Sequence, residues 1–214
     1  MPMDSLNRSA VARYALAVCG MLALSACASK YAQVPARLDL RPYGRVALVT
    51  FVSDEEHRAM SVLATQQFAE KLLAGQPGIE LLELGASDSV VKRLPPGTDP
   101  IVLAQALGEG GNIPAVFVGQ LKVSGMKPRA RLNVSDVNVR ATVSAEMTVR
   151  LLSTRTGGTL WRSSSAASGT VGRVALAGGL PSVALRDTEE AYGEIVRSLV
   201  TDVTRDLRPT WVKQ

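Results

Sequence analysis

Side chains able to do covalent or metal chemistry are scarce in this chain. It carries one histidine and two cysteines in 214 residues, too few for a disulfide scaffold, for most zinc sites or for most histidine-based catalytic pairs. Ser89-Val90-Val91-Lys92 has the spacing of a lysine-activated serine, and Arg155-Thr156-Gly157 approximates the Lys-Thr-Gly that accompanies such a pair. No Ser-Asp-Asn element lies between them, and Thr156-Gly157 is accounted for as a tight turn, so the match is not read as catalytic. His57 stands beside Asp54, Glu55 and Glu56. Carboxylates are expected at the positive end of a helix, and a metal would need further ligands that no spacing supplies. No Gly-x-Gly-x-x-Gly, Walker sequence or Gly-x-Ser-x-Gly follows an apolar run; Gly108, Gly110 and Gly111 precede a strand instead of opening a helix, which is wrong for cradling phosphate. The expectation is a non-enzymatic protein without cofactor or metal.

Cys27 is the cysteine with a chemical role. Arg8 and Arg13 flank the start of an apolar run, Tyr14 to Leu24, which ends in Ser25, Ala26 and Cys27. That is the positive segment, apolar core of about 7–15 residues and small-residue cleavage site of a secretory signal. The run is shorter than the roughly 20 apolar residues that span a bilayer. Leu24-Ser25-Ala26-Cys27 is similar to the lipobox of bacterial lipoproteins. The resemblance implies cleavage before Cys27 and acylation of its thiol and amine by palmitate-type chains, which anchor stably when two or more are present. Ala28, where an aspartate would signal inner-membrane retention, implies the periplasmic side of the outer membrane. The chain thus divides into a signal peptide (1–26), a lipidated cysteine and tether containing Pro35 and Pro42 (27–44), and a single α/β domain (45–214). Loss of one acid (Asp4) and two bases (Arg8, Arg13) takes the formal charge from +5 to +4, and loss of Cys19 leaves Cys27 without a disulfide partner.

The elements that must carry any surface follow from hydrophobic period. Arg45 to Phe51 (RVALVTF) is nearly all apolar, as in a strand buried on both faces of a parallel sheet. Ser53-Asp54-Glu55-Glu56 reads as a capping box, followed at helical spacing by Met60, Leu63, Ala64, Phe68 and Leu72 and closed by Gly75. Ile79 to Leu84 predicts a second strand. Thr98 or Asp99 caps a short helix from Pro100 to Leu107, and Ile113 to Leu121 predicts the third strand. From Val137 to Leu151 every odd position is apolar and every even one polar, the mark of a long half-buried strand. Thr156-Gly157-Gly158 turns the chain, and Thr159 to Ser165 returns antiparallel. Asp187 and Glu190 start a last helix whose face is Tyr192, Ile195, Val196, Leu199, Val203 and Leu207, and Pro209 stops it. The expected fold is three-layer α/β, a mixed sheet of order β-α-β-α-β with an antiparallel hairpin and a C-terminal helix.

That order, carried by Arg45 to Phe51, Pro114 to Leu121 and Leu151 to Arg162 (LLSTRTGGTLWR), resembles the domain shared by the TolB N-terminal domain, the curli secretion lipoprotein CsgG, the penicillin-binding-protein activator LpoB and the flagellar lipoprotein FlgO. The shared motifs are structural. The resemblance implies a lipoprotein that binds or scaffolds a cell-envelope assembly, or alternatively an oligomeric subunit of a CsgG-like outer-membrane secretion channel. Such a channel needs paired membrane-spanning hairpins, and here the returning strand loses its alternation in Ser163-Ser164-Ser165-Ala166-Ala167-Ser168.

The partners expected are the membrane, an envelope protein and further copies of the chain; nucleic acid is not expected outside the cytoplasm. Arg129, Arg131, Arg140, Arg150 and Arg162 would share the polar side of the antiparallel strands, either as a solvated face or in contact with phosphorylated headgroups or an acidic partner. Val171 to Leu185 (VGRVALAGGLPSVAL) has one charge and four Gly or Pro, which predicts a loop over the sheet or an apolar contact segment. Arg140, Arg150, Arg162, Arg173, Leu176 and Leu180 are the candidate contact residues.

Overall fold

The computed structural model describes residues 31–85, 88–95, 97–109, 112–124, 127–132, 136–177, 180–185 and 188–213, and for 127–132, 136–141, 171–177, 180–185 and 188 the backbone. The described elements are β1 (Tyr31–Val34), β2 (Arg45–Val49), α1 (Arg58–Gly75), β3 (Glu80–Leu84), α2 (Ser89–Arg93), α3 (Pro100–Glu109), β4 (Ala115–Val123), β5 (Lys127–Leu132), β6 (Asp136–Ser153), β7 (Thr159–Ala177), β8 (Leu180–Leu185), α4 (Thr188–Val203) and β9 (Thr210–Lys213). Two compact units result. In one, β1 and β9 pair antiparallel, all their residues exposed or half-buried. The other runs from Pro35 to Pro209 and holds a seven-stranded sheet of order β3-β2-β4-β6-β7-β8, with β5 also paired to β6. Strand β2 is parallel to β3 and β4, and the remaining pairs are antiparallel.

Strand β2 buries both faces because helices cover both. Val46 and Leu48 join α1 and α4 in the larger core, whereas Ala47 and Val49 join α2 and α3 in the smaller one. This is the expected three-layer α/β arrangement. Helix α1 contributes Met60, Ala64, Phe68 and Leu72 at helical spacing, and the Phe68 ring stands edge-on to Phe51 and Phe117, 5.3 and 5.2 Å between centroids. Its start differs from the expected capping box. The Ser53 hydroxyl donates to the Asp54 carbonyl, and it is Asp54 that accepts, from the His57 amide at 3.1 Å and the His57 ring Nδ1 at 2.6 Å, so the helix opens at Arg58. Helix α3 starts as expected, with the Asp99 carboxylate accepting from the Ile101 amide at 2.7 Å ahead of Pro100.

The stretch expected to act as a tether is built into the body from Leu38 on. Leu40 is fully buried. Its amide donates to Gln76 Oε1 at 3.0 Å, and Gln76 Nε2 donates to the carbonyls of Leu38 and Leu207 at 2.7 and 2.8 Å. One buried side-chain amide at the end of α1 thereby binds the entry of the body to its exit. A bidentate Arg41 guanidinium beside it holds the Asp39 carboxyl below its ordinary range through the hydrogen bonds it donates.

Strand β6 shows the alternation that its sequence predicts. Val143, Ala145, Met147, Val149 and Leu151 are buried, and Ser144 and Glu146 are exposed. Gly157 takes a left-handed conformation, φ +71°, in the turn that follows. Strand β7 departs from expectation, because the Ser163–Ser168 run does not end it. Residues 161, 163, 165, 167 and 169 are half-buried while 162, 164, 166 and 168 are exposed. The inward residues are small because α4 packs close: a Cβ on Gly169 would lie 3.0 Å from the Ile195 side chain, and the Ser165 hydroxyl donates to Asp202 Oδ2 at 3.2 Å. Hydropathy loses the period that burial keeps. In the Val171–Leu185 segment, expected as a loop over the sheet or an apolar contact segment, 171–177 end β7 and 180–185 form β8, which pairs with it, and β5 is a further strand that the sequence did not predict.

Candidate functional site

Two surfaces collect the residues that could act. The first is the outer part of the sheet. Pairing of β4 with β6 ends at Val123 opposite Ala145. Beyond it β6 is flanked by β5, and β7 by β8, giving the cross-strand rows Leu132–Val137–Leu176–Pro181, Ala130–Val139–Val174–Val183 and Pro128–Ala141–Gly172–Leu185. Every residue on this parity is apolar. The other parity reads Arg131–Asn138–Ala175–Ser182, Arg129–Arg140–Arg173–Ala184 and Lys127–Thr142–Thr170. The register skips Val171 between Gly172 and Thr170. This bulge shifts the β7 residues that pair with odd residues of β6 from odd to even and keeps all the apolar positions on one parity. It also removes any single period from the sequence of β7.

The predicted contact residues therefore fall into separate places. Arg140 and Arg173 share a row with Arg129, and Arg150 stands opposite Arg162 in another, ten positions along β6 from Arg140, about 33 Å at strand rise. Leu176 sits on the apolar parity, and Leu180 pairs with Ala177 on the other. Cys27 lies outside the described residues.

The second surface is a cavity of about 530 Å³ outside the carboxyl ends of β2 and β4. Even-numbered residues of β6 face the α2–α3 layer, where Leu152 packs with Val116 and Val118. Moving away from Leu152, the same side of β6 presents Arg150, Thr148 and Glu146, which line the cavity with Gln120 and Lys122 of β4, Arg162 of β7, Val49 at the end of β2, Thr50 after it, and Thr98, Pro100 and Leu103 around the start of α3. Nothing in the sequence reading located this cavity, since it depends on where α3 stops covering the sheet.

The residues weighed for catalysis are not gathered at either surface. Ser89 and Lys92 are exposed on the five-residue α2, and Thr156 is exposed in the β6–β7 turn. His57 pairs with Asp54 and lies edge-on to Tyr192, 6.3 Å between ring centroids. Among the described residues no group of His, Cys, Asp and Glu could hold a metal ion. No helix among the described residues is long and apolar enough to cross a membrane.

No family model matches the chain, and no curated protein does. Among solved structures it is similar to the PelC dodecamer from Paraburkholderia phytofirmans, at 17% identity over 84% of this chain and 96% of that one with TM-score 0.42. It is also similar to lipoprotein GNA1162 from Neisseria meningitidis, at 20% identity over 59% and 83% with TM-score 0.35. A third is the LpoB C-terminal domain from Salmonella enterica, at 14% identity over 63% and 84% with TM-score 0.25. Bacterial lipoproteins are thus among the structures it resembles. At these identities and scores the likeness carries no functional conclusion for this chain.

Proposed function

We propose that the chain is a non-enzymatic lipoprotein, anchored by acylated Cys27 on the periplasmic side of the outer membrane, that binds or scaffolds an envelope assembly through the outer sheet β5–β8. The observation that supports this reading most is the wholly apolar parity across those four strands. Apolar rows of that kind call for something to cover them, and on an exported protein a partner would do so. Strands β5 and β8 each pair on one side only among the described residues, which leaves edges able to accept another strand. A lipid anchor adds to this by confining the domain to the membrane and so raising its effective concentration toward neighbours. The anchor is tested by labelled palmitate and fractionation: wild type takes up label and sediments with outer membranes, Cys27→Ser does neither, and label-free wild type overturns the assignment.

A second reading, the subunit of an oligomeric secretion channel, is favoured by the two one-sided edges, because copies joined edge to edge close a barrel, and only a closed sheet satisfies its backbone in lipid. The lengths of β5 and β8 weigh against it: six residues each, where a spanning strand takes about 9–11. Subunit count in detergent and conductance in planar bilayers separate the two. The scaffold reading expects no conductance, and a stable conducting ring overturns it.

A further inference from the structure

The cavity outside β2 and β4 has the chemistry of a binding site independent of the outer sheet. Its place is where open α/β sheets bind ligands. From β2 the chain crosses by α1 to β3 on one side and then by α2 and α3 to β4 on the other, so the carboxyl ends of β2 and β4 flank a reversal of strand order. Its volume, about 530 Å³, suits a small molecule. Its charge is unbalanced: Lys122, Arg150 and Arg162 face a single carboxylate, Glu146.

The register sharpens that imbalance. Lys122 lies directly opposite Glu146, whereas Arg150 lies between Val118 and Arg162, with no acid on either neighbouring strand. Like charges directly opposite each other in a sheet are destabilising. Among the described residues neither arginine side chain makes a hydrogen bond or an ion pair, and the same holds for Gln120, Lys122 and Thr148. The start of α3 adds nothing, because Asp99 already caps it. Two unpaired guanidiniums on adjacent strands match a tetrahedral oxyanion better than a carboxylate, since each planar fork can take two oxygens. Beside them Val49 and Val118 of the sheet and Leu103 of α3 are apolar and pack together, a surface for carbon and not for a bare ion.

We propose that this cavity binds an organic phosphate, the oxyanion between Arg150 and Arg162 and the carbon skeleton against Val49, Leu103 and Val118. The phosphate could belong to a soluble metabolite or to a lipid headgroup. The test is calorimetric titration of the full chain in neutral detergent, with glucose 6-phosphate in one arm and phosphatidylglycerol in mixed micelles in the other. Saturable binding in the first arm assigns a soluble phosphate, in the second a headgroup, and either supports the site. Arg150→Gln and Arg162→Gln should each weaken binding by about tenfold, the loss of one charge-assisted contact, and Glu146→Gln should tighten it. In the ligand-free protein Arg162→Gln should melt at or above the wild-type temperature, because it removes the like-charge pair. Absence of binding in both arms, or binding unchanged in the arginine variants, overturns the proposal.

Discussion

The β6–β7 pair has two ends built on one sequence rule and put to different uses. From Val143 to Leu151 the odd residues of β6 lie under α1 and α4 and form the centre of the larger core. From Val137 to Ala141 the same parity continues, but the flanking strand changes from β4 to β5, and on the far side β8 is added. The body end is accounted for by the helices that cover it. The outer end repeats the pattern across four strands, and its apolar rows are the reason to look for a partner. Alternation establishes that one side of a strand is apolar; what lies against that side is decided by elements far away in sequence.

Substitutions that contrast the two ends test this directly. The largest effects belong to the body. Val149→Asp places an unpaired charge in the core and should destabilise by about 3–5 kcal/mol in urea unfolding, and Phe117→Ala, which removes a ring packed against Phe68 and Trp161, should cost a similar amount. Gln76→Ala leaves the Leu40 amide and the Leu38 and Leu207 carbonyls without their partner, for about 2–3 kcal/mol. Gly169→Val, which must displace the Ile195 side chain, should cost about 1–3 kcal/mol by overpacking. At the outer end, Val139→Asp sits on the same β6 parity as Val149→Asp, and on the reading that a partner covers that parity it should change unfolding of the isolated chain by no more than about 1 kcal/mol. Equal losses at Val139 and Val149 would erase the distinction between the ends.

Much of the fold was legible because local chemistry and tertiary packing agree. The RVALVTF strand, the Met60–Leu72 stripe and the β6 alternation each answer to one rule with no competitor nearby, and at the start of α3 the two candidate caps, Thr98 and Asp99, are adjacent, so either places the helix alike. The misreadings share a cause, a residue whose role depends on a distant neighbour. Ser163, Ser165 and Gly169 look like a broken strand until α4 is laid over them. Gln76, for which the sequence offers no local signal, gathers Leu38, Leu40 and Leu207 on its amide from far away in the chain. The capping box failed because Asp54 ties the His57 amide and ring into a turn ahead of the helix, so that the helix opens at Arg58 and its N-cap, His57, makes no side-chain cap bond. Of the candidate contact residues, the pairing of Arg150 with Arg162 was within reach of the sequence once the Thr156–Gly158 turn was placed, since a hairpin turn sets register. The cavity beside them was not, because its walls come from β2, β4, β6, β7 and α3 together.

The central claim, that the outer sheet meets a partner in the envelope, is tested most directly by crosslinking in isolated outer membranes with three chains: wild type, Val139→Asp and Ser144→Asp, the last at an exposed position of β6 within the body. The account predicts discrete adducts for wild type and Ser144→Asp and their loss in Val139→Asp, with all three chains folded and membrane-bound. Undiminished adducts in folded Val139→Asp would contradict it.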